Sequence, residues 1–387
     1  NADPAPPIKR YTTFERAGRP ARSPQRSRRF SNASMQLESF TCHKDPRAPL
    51  KNDDRVVAYG GRLFAVIDGV TAKKGPPLPD GSSRGQAAGV LIERALRELV
   101  DDRTAMTAGA DEVLERIRRT IVGEYARLDM TEAALDPHLR FAAQLACAFY
   151  DESHWRLLVV GDCGVRLNGA QVIATTNPGD GVIALLRKHV FAAALEHLDG
   201  ATGDAGATGV APHLTDTALD VARAYTVAGS GSYLEEHADA LPQAAYRAFT
   251  AAAEAAALTA FPDLPAALVR DTLAHGLLGI GVHRNTAGPL GAPCIDGTHV
   301  PLELVHDRRI AAADVSTLEL FSDGYFGTPP SGKVTVAAWE AHIAHVEDVD
   351  PFKVGPYPST KGSGSGRFTD DRTVLIVTPP ARGMKET

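Results

Sequence analysis

The sequence predicts an α+β layered domain. Strand signals come in pairs joined by short polar turns, and helix signals come in pairs, with long returns between the groups. Strict strand–helix alternation, the mark of a parallel sheet, is missing. The chain has 387 residues, 44% apolar and 23% charged, which is ordinary globular composition and enough to bury a large core without staples.

The elements follow in order. Residues 9–29 carry Lys9, Arg10, Arg16, Arg19, Arg22, Arg26, Arg28 and Arg29 against Glu15 alone. A like-charge run reads as a solvated arm, and its sharper reading is a segment that docks on an acidic face or reaches a phosphate-bearing substrate. Residues 1–39 are therefore set apart as a basic N-terminal arm, 40–380 as the folded domain and 381–387 as a tail. Arg62-Leu63-Phe64-Ala65-Val66-Ile67 is a strand ending at Asp68-Gly69. Residues 84–102 and 111–129 have apolar positions at three-and-four spacing and read as helices. Ala143 to Tyr150 and Trp155 to Val160 flank the polar turn Asp151-Glu152-Ser153-His154, a hairpin signature. Residues 200–212 are Gly- and Ala-rich and read as a flexible loop, and 213–280 as Ala-rich helices broken at Pro262 and Pro265. A helical insertion near 178–300 is expected. Strands resume at Leu318 to Phe321 and Thr373 to Val377. Ser359 to Gly366 between them is a Gly/Ser segment expected to be mobile.

Charge and composition exclude several function classes. Lys plus Arg total 41 and Asp plus Glu 47, a formal net charge of −6, which disfavours a general nucleic-acid binder. No apolar run reaches the roughly 18 residues of a spanning helix. Asn1-Ala2-Asp3-Pro4-Ala5-Pro6-Pro7 has no apolar signal core. Cys42, Cys147, Cys163 and Cys294 form no C-x-x-C pair, which suits a reducing compartment. A cytoplasmic protein without nucleic-acid or membrane partners is expected.

The chemistry lies in where the aspartates sit. Asp68, Asp162 and Asp323 each follow an apolar strand run. Asn52-Asp53-Asp54 precedes Val56-Val57, and Asp370-Asp371 precedes Arg372-Thr373-Val374. A single Asp-Gly at a strand end is usually a turn residue. Five such sites in order are harder to dismiss. Clustered carboxylates raise one another's pKa values, and a hard divalent cation removes that penalty. Two such ions about 3.5–4 Å apart can activate a water and stabilise an in-line displacement at phosphorus.

The ordered blocks Asn52-Asp53-Asp54, Phe64-Ala65-Val66-Ile67-Asp68-Gly69, Val160-Gly161-Asp162-Cys163-Gly164-Val165, Phe321-Ser322-Asp323-Gly324 and Asp370-Asp371-Arg372-Thr373-Val374 resemble the signature blocks of the PPM family. These are the metal-dependent type 2C serine/threonine protein phosphatases, here of the bacterial type. The resemblance covers residues 40 to 380. It implies a four-layer α-β-β-α sandwich with two central antiparallel sheets and two Mg²⁺ or Mn²⁺ ions at one end. It implies that Asp68 bridges the ions, that the Gly69 carbonyl binds the second, and that Asp323 and Asp370 bind the first. Asp53 and Asp54 match the acidic pair that holds metal-bound waters. Asp162 matches the aspartate that helps bind a third ion in some bacterial members. The catalytic set so implied is Asp54, Asp68, Asp323 and Asp370, acting through a metal-bridging hydroxide without a phosphoenzyme.

The chain departs from that pattern at the phosphate contact. Pro49 stands where the family often has an arginine, so Arg47, Lys51 or Lys73 is expected to supply the cation. Val70-Thr71-Ala72 follows Asp68-Gly69 where a Gly-Gly or histidine is usual, which leaves the general acid unassigned. His283, His299 and His306 lack metal-ligand spacing, Gly279-Ile280-Gly281 is no dinucleotide fingerprint, and Gly229-Ser230-Gly231-Ser232 reads as a turn. Trp155 and Trp339 read as packing residues. Three functions stay open: a protein serine/threonine phosphatase, a phosphatase of a small phosphorylated metabolite, and a non-catalytic binding protein.

Overall fold

Leu63–Gly69 (β3) is buried at all seven positions, so both of its faces must be covered. The structure, a computed structural model, describes residues 35–71, 75–202, 212–362 and 368–380. In it β3 lies between Arg55–Tyr59 (β2) and Ala143–Tyr150 (β4). His154–Val160 (β5) and His306–Ala311 (β8) complete a five-stranded antiparallel sheet in the order β2-β3-β4-β5-β8. The β4–β5 hairpin forms as expected: Asp151 closes its turn by accepting bonds from the Ser153 and His154 amides at 3.0 and 2.7 Å.

A second five-stranded sheet stacks on the first. It runs Gln36–Cys42 (β1), Arg372–Thr378 (β10), Leu318–Phe321 (β9), Gly164–Leu167 (β6) and Gln171–Ala174 (β7), again all antiparallel. β1 begins four residues inside the segment assigned to the basic arm, because its full length pairs with β10 from Gln36↔Thr378 to Cys42↔Arg372. Residues 1–34 of that arm, and the tail at 381–387, lie outside the described residues.

Three apolar cores separate four layers. Phe64, Val66, Ala146, Trp155 and Val159 meet Val165, Leu320, Leu375 and Val377 between the sheets. Arg84–Asp101 (α1) and Ala110–Arg127 (α2) cover the outer face of the first sheet through Leu91, Ile92, Leu96, Val113, Ile117 and Ile121. Ser83 caps α1 in a reciprocal box with Gln86, which satisfies two otherwise orphaned amides. Val336–Val349 (α7) covers the second sheet, where Trp339 and Ile343 pack on Phe40, Phe321 and Val374. The order α1/α2, sheet, sheet, α7 is the α-β-β-α layering expected.

Pro178–Thr202 (α3), Pro212–Ala228 (α4), Gln243–Ala260 (α5) and Ala266–Ile280 (α6) pack together around their own core of Leu186, Ala222, Tyr225, Phe249 and Leu273. α3 runs to Thr202, so the start of the expected 200–212 loop is helical, and residues 203–211 lie outside the described residues. Among the described residues no helix is long and apolar enough to cross a membrane.

The second sheet buries a full ion pair. Arg166 and Glu319 face each other across β6 and β9 and bond through their side chains, with exposures of 1% and 0%. Trp339 Nε1 donates to Glu319 Oε2 at 2.7 Å, and Arg166 donates to the carbonyls of Pro329 and Lys333 at 2.7 and 2.6 Å. Removing one partner of such a pair leaves an uncompensated buried charge. Arg166→Met is therefore expected to lower the unfolding free energy by about 3–5 kcal/mol in urea titration. A loss below ~1 kcal/mol would contradict the pairing.

Candidate metal centre

The aspartates singled out from sequence lie at one end of the stacked sheets. The register explains why. Asp68 ends β3, Asp53 and Asp54 enter β2, and the pair Arg55↔Ile67 puts both at the same edge. Asp162 follows β5, whose last residue Val160 sits opposite Leu145 beside the Gly69↔Ala143 pair. Asp323 follows β9 and Asp370 precedes β10, and Val374↔Phe321 brings them together.

Asp68, Asp162 and Asp323 form the tightest group, with one oxygen from each within 4.8 Å of the others. Asp54, Asp162 and Asp323 each keep one buried oxygen, Oδ1, without a hydrogen-bond partner among the described residues. Burial pushes the Asp68 carboxyl well above its ordinary value, and Asp54, Asp323 and Asp162 push it further while Lys361 opposes them. Asp162 is raised well above the usual range first by burial and then by Asp323. Asp54 is pushed up to about 8, mainly by burial, with Asp371 and Asp370 adding to it and a bond from Ser322 opposing. A cluster that resists ionisation this strongly, with oxygen-only donors and orphaned lone pairs, fits a hard divalent cation.

The remaining acids are placed differently. Asp53 gives its carboxylate to the Ser83 and Thr71 hydroxyls. Asp370 bonds Lys361 and lies 3.7 Å from Lys44 Nζ. Burial alone would raise its pKa, but Lys361 and then Lys44 outweigh burial and hold it below the ordinary value.

Of the expected phosphate-binding cations, Arg47 points away: its side chain is 73% exposed and forks onto Asp45. Lys51 is exposed on the short turn Pro49–Lys51 and makes no ion pair with the cluster among the described residues. Lys73 lies outside the described residues.

Four residues to which the sequence assigned no role complete the site. Lys44 Nζ sits within 3.9 Å of both Asp370 and Asp371 and is 32% exposed. Ser322 Oγ donates to Asp54 Oδ2 at 2.8 Å and accepts from the Thr373 amide at 2.9 Å. Asp371 accepts from the amides of Lys44 and Asp53 at 2.9 and 2.8 Å, stapling three segments together. Lys361 Nζ lies 3.4 Å from Asp323 Oδ2 while bonding Asp370. It comes from the start of the Ser359 to Gly366 segment expected to be mobile, where residues 359–362 are anchored and 363–366 lie outside the described residues. The sequence signal for it was a lone lysine nine residues before Asp370.

Other chemistries lack support. Cys163 is fully buried, and burial first, then Asp68 and Asp162, push its thiol well up, the opposite of what a reactive cysteine needs. His283, His299 and His306 join no ligand cluster among the described residues.

A close backbone approach shapes the edge of the site. A Cβ on Gly69 would stand 2.7 Å from the Asp53 carbonyl oxygen and the Gly85 carbonyl carbon. The end of β3 and the start of α1 are in contact only because both residues are glycine. Gly324 is similarly tight, since its Cβ would stand 2.1 Å from the Asp371 carbonyl oxygen.

No family model and no curated protein matches this chain. Among solved structures it is similar to the Mycobacterium tuberculosis serine/threonine phosphatase PstP/Ppp, at 15% identity over 89% of this chain and 99% of that one, with a TM-score of 0.38. It is also similar to Stp1 of Staphylococcus aureus, at 12% identity over 92% and 99% with a TM-score of 0.37. PppA of Pseudomonas aeruginosa gives 14%, 89% and 97%, with a TM-score of 0.36.

Gly69→Ala is expected to destabilise the protein by about 1–3 kcal/mol, the usual cost of overpacking. Urea unfolding of the variant checks this, and a stability within ~0.5 kcal/mol of the parent would refute the contact.

Proposed function

We propose that this chain is a divalent-metal-dependent phosphomonoester hydrolase whose substrates are proteins bearing phosphoserine or phosphothreonine. One observation carries the reading: Asp68, Asp162 and Asp323 converge in space, and Asp162, Asp323 and the neighbouring Asp54 each keep a buried oxygen without a hydrogen-bond partner among the described residues. The ordered PPM-like sequence blocks point the same way.

In this reading Asp68, Asp162 and Asp323 would hold one ion with Asp54 beside them, Asp323 and Asp370 would line a second position, and the Gly69 carbonyl next to Asp68 is a further donor. Asp53 belongs to the surrounding support. When bound, Mg²⁺ or Mn²⁺ supplies positive charge against the transferring phosphoryl group and acidifies a water. The protein's own groups orient and shield. Ser322 fixes the Asp54 carboxylate, and Asp371 locks the loop of Lys44 against Asp53. Lys44, part-exposed beside Asp370 and Asp371, would meet an incoming phosphate, whereas Arg47 forks onto Asp45 instead.

The surroundings favour a macromolecular substrate over a metabolite. Small-molecule pockets usually enclose about 300–1,000 Å³. Among the described residues, one cleft walled by Thr71, His138, Arg140 and Arg284 and another by Gln144, Asp162, Thr175 and Asn177 open to solvent and are too small to enclose a metabolite. A shallow surface suits a phosphorylated segment presented by another protein.

Manganese-dependent hydrolysis of p-nitrophenyl phosphate and of phosphopeptides tests the proposal. Asp68→Asn and Asp323→Asn are each expected to cut the rate roughly a hundredfold or more with the circular dichroism spectrum intact. Full activity in either variant, or turnover of phosphometabolites with no phosphopeptide cleaved, would overturn it. Lys44→Ala is expected to raise KM several-fold with little change in kcat, whereas Arg47→Ala leaves both unchanged; steady-state kinetics on a phosphopeptide distinguish them.

A further inference from the structure

Residues 350–362 form a strap rather than a loose linker. Asp350 accepts from the amides of Val354, Gly355 and Tyr357 at 3.0, 2.9 and 2.9 Å. Lys353, fully buried, donates to the Asp350 carbonyl at 2.6 Å and pairs with Glu347 at 3.1 Å. Arg187 of α3 is 2% exposed and donates to the carbonyls of Phe352, Lys353 and Ser359 at 2.7, 3.0 and 3.4 Å. Phe352 and Val354 pack on the helical core. A Cβ on Gly362 would stand 2.1 Å from Arg187 Nη2, so the guanidinium also abuts the residue after Lys361. The strap therefore carries the Lys361 ammonium to a defined place, between Asp323 and Asp370 and away from solvent on most of its surface.

That place matters because it divides the centre. Asp68, Asp162 and Asp323 converge on one side, and Asp323 and Asp370 share the ammonium on the other. An ammonium and a divalent ion cannot both occupy the second position: each needs the same carboxylate oxygens, and they repel each other.

We propose that Lys361 is a tethered cation standing in the ion position between Asp323 and Asp370, so that the Asp68–Asp162–Asp323 side loads a divalent ion first and the second ion binds only as the ammonium leaves. The proposal rests on the metal-dependent reading above and adds an order of loading to it. A tethered group competes at an effective concentration in the millimolar range for a short linker, so the second ion binds with reduced apparent affinity. The strap and its Arg187 clamp set how far it is reduced.

Titration of the full chain with MnCl₂, followed by calorimetry and by the electron-paramagnetic signal of free Mn²⁺, tests this without any turnover. The wild type is expected to show one tighter and one weaker ion, and Lys361→Met to tighten the weaker one by about tenfold or more. Lys361→Arg, which keeps the charge, is expected to retain the wild-type pattern. Identical stoichiometry and Kd values in wild type and Lys361→Met would overturn the role of Lys361 while leaving the metal reading standing. No Mn²⁺ binding by either would overturn both. The wild-type chain gives a measurement independent of any variant's folding. With ¹³C-labelled lysine, the Lys361 ε-methylene resonance is expected to move as Mg²⁺ fills the second position, and a resonance unmoved at saturating Mg²⁺ would refute the displacement.

Discussion

Carboxylates do not share a buried site unless something positive joins them, and this constraint governs the centre of the molecule. Asp68 is buried and faces Asp54, Asp162 and Asp323 from neighbouring strand ends. Each added negative charge makes the next harder to ionise. The sheets supply the rigidity that holds these side chains together against that repulsion, since strand ends paired on both flanks cannot splay apart. Around them, polar groups fix the geometry: Ser322 orients Asp54, Asp371 ties the amides of Lys44 and Asp53, and Lys361 brings a counter-charge.

The same rule governs the far side of the second sheet. Arg166 and Glu319 are as deeply buried as any apolar residue, yet every charge there is matched by a fork, an indole or a carbonyl. The contrast is informative. Where the protein means a charge to be permanent, it completes the hydrogen bonding itself. At the aspartate cluster, oxygens of Asp54, Asp162 and Asp323 have no partner among the described residues, which is how a protein leaves room for a guest.

Much of this was legible in the chain. The apolar run before Asp68 is long and β-rich, and the apolar period of α1 is clean, so both are visible from local rules. The acidic ends of β3, β5, β9 and β10 stood out because each is an aspartate abutting an apolar run. Other features had no local signature. β8 reads HDRRIA, because an edge strand facing solvent has no need of apolar alternation. β1 was absorbed into the basic arm, because its pairing with β10 spans more than 300 positions and no local pattern announces it. Lys361 was hidden in a Gly/Ser stretch. Composition there reports the entropy of a free chain, and says nothing of ion pairs formed with Asp323 and Asp370 once the fold closes. Arg47 and Lys51 were chosen for nearness in sequence to Asp53 and Asp54, but a short turn swings both outward.

The bundle formed by α3 to α6 has an interior of its own, built from residues such as Leu186, Tyr225 and Phe249 that take no part in either sheet. Its helices are thus free to drift in evolution, or to be redecorated on their outer faces, without disturbing the aspartate end. Arg187 reaches beyond that interior, because its guanidinium grips the segment that ends in Lys361. Descent with variation would accordingly spare that one position while rewriting its neighbours, and a diverged cousin that had lost the arginine should have lost the lysine as well.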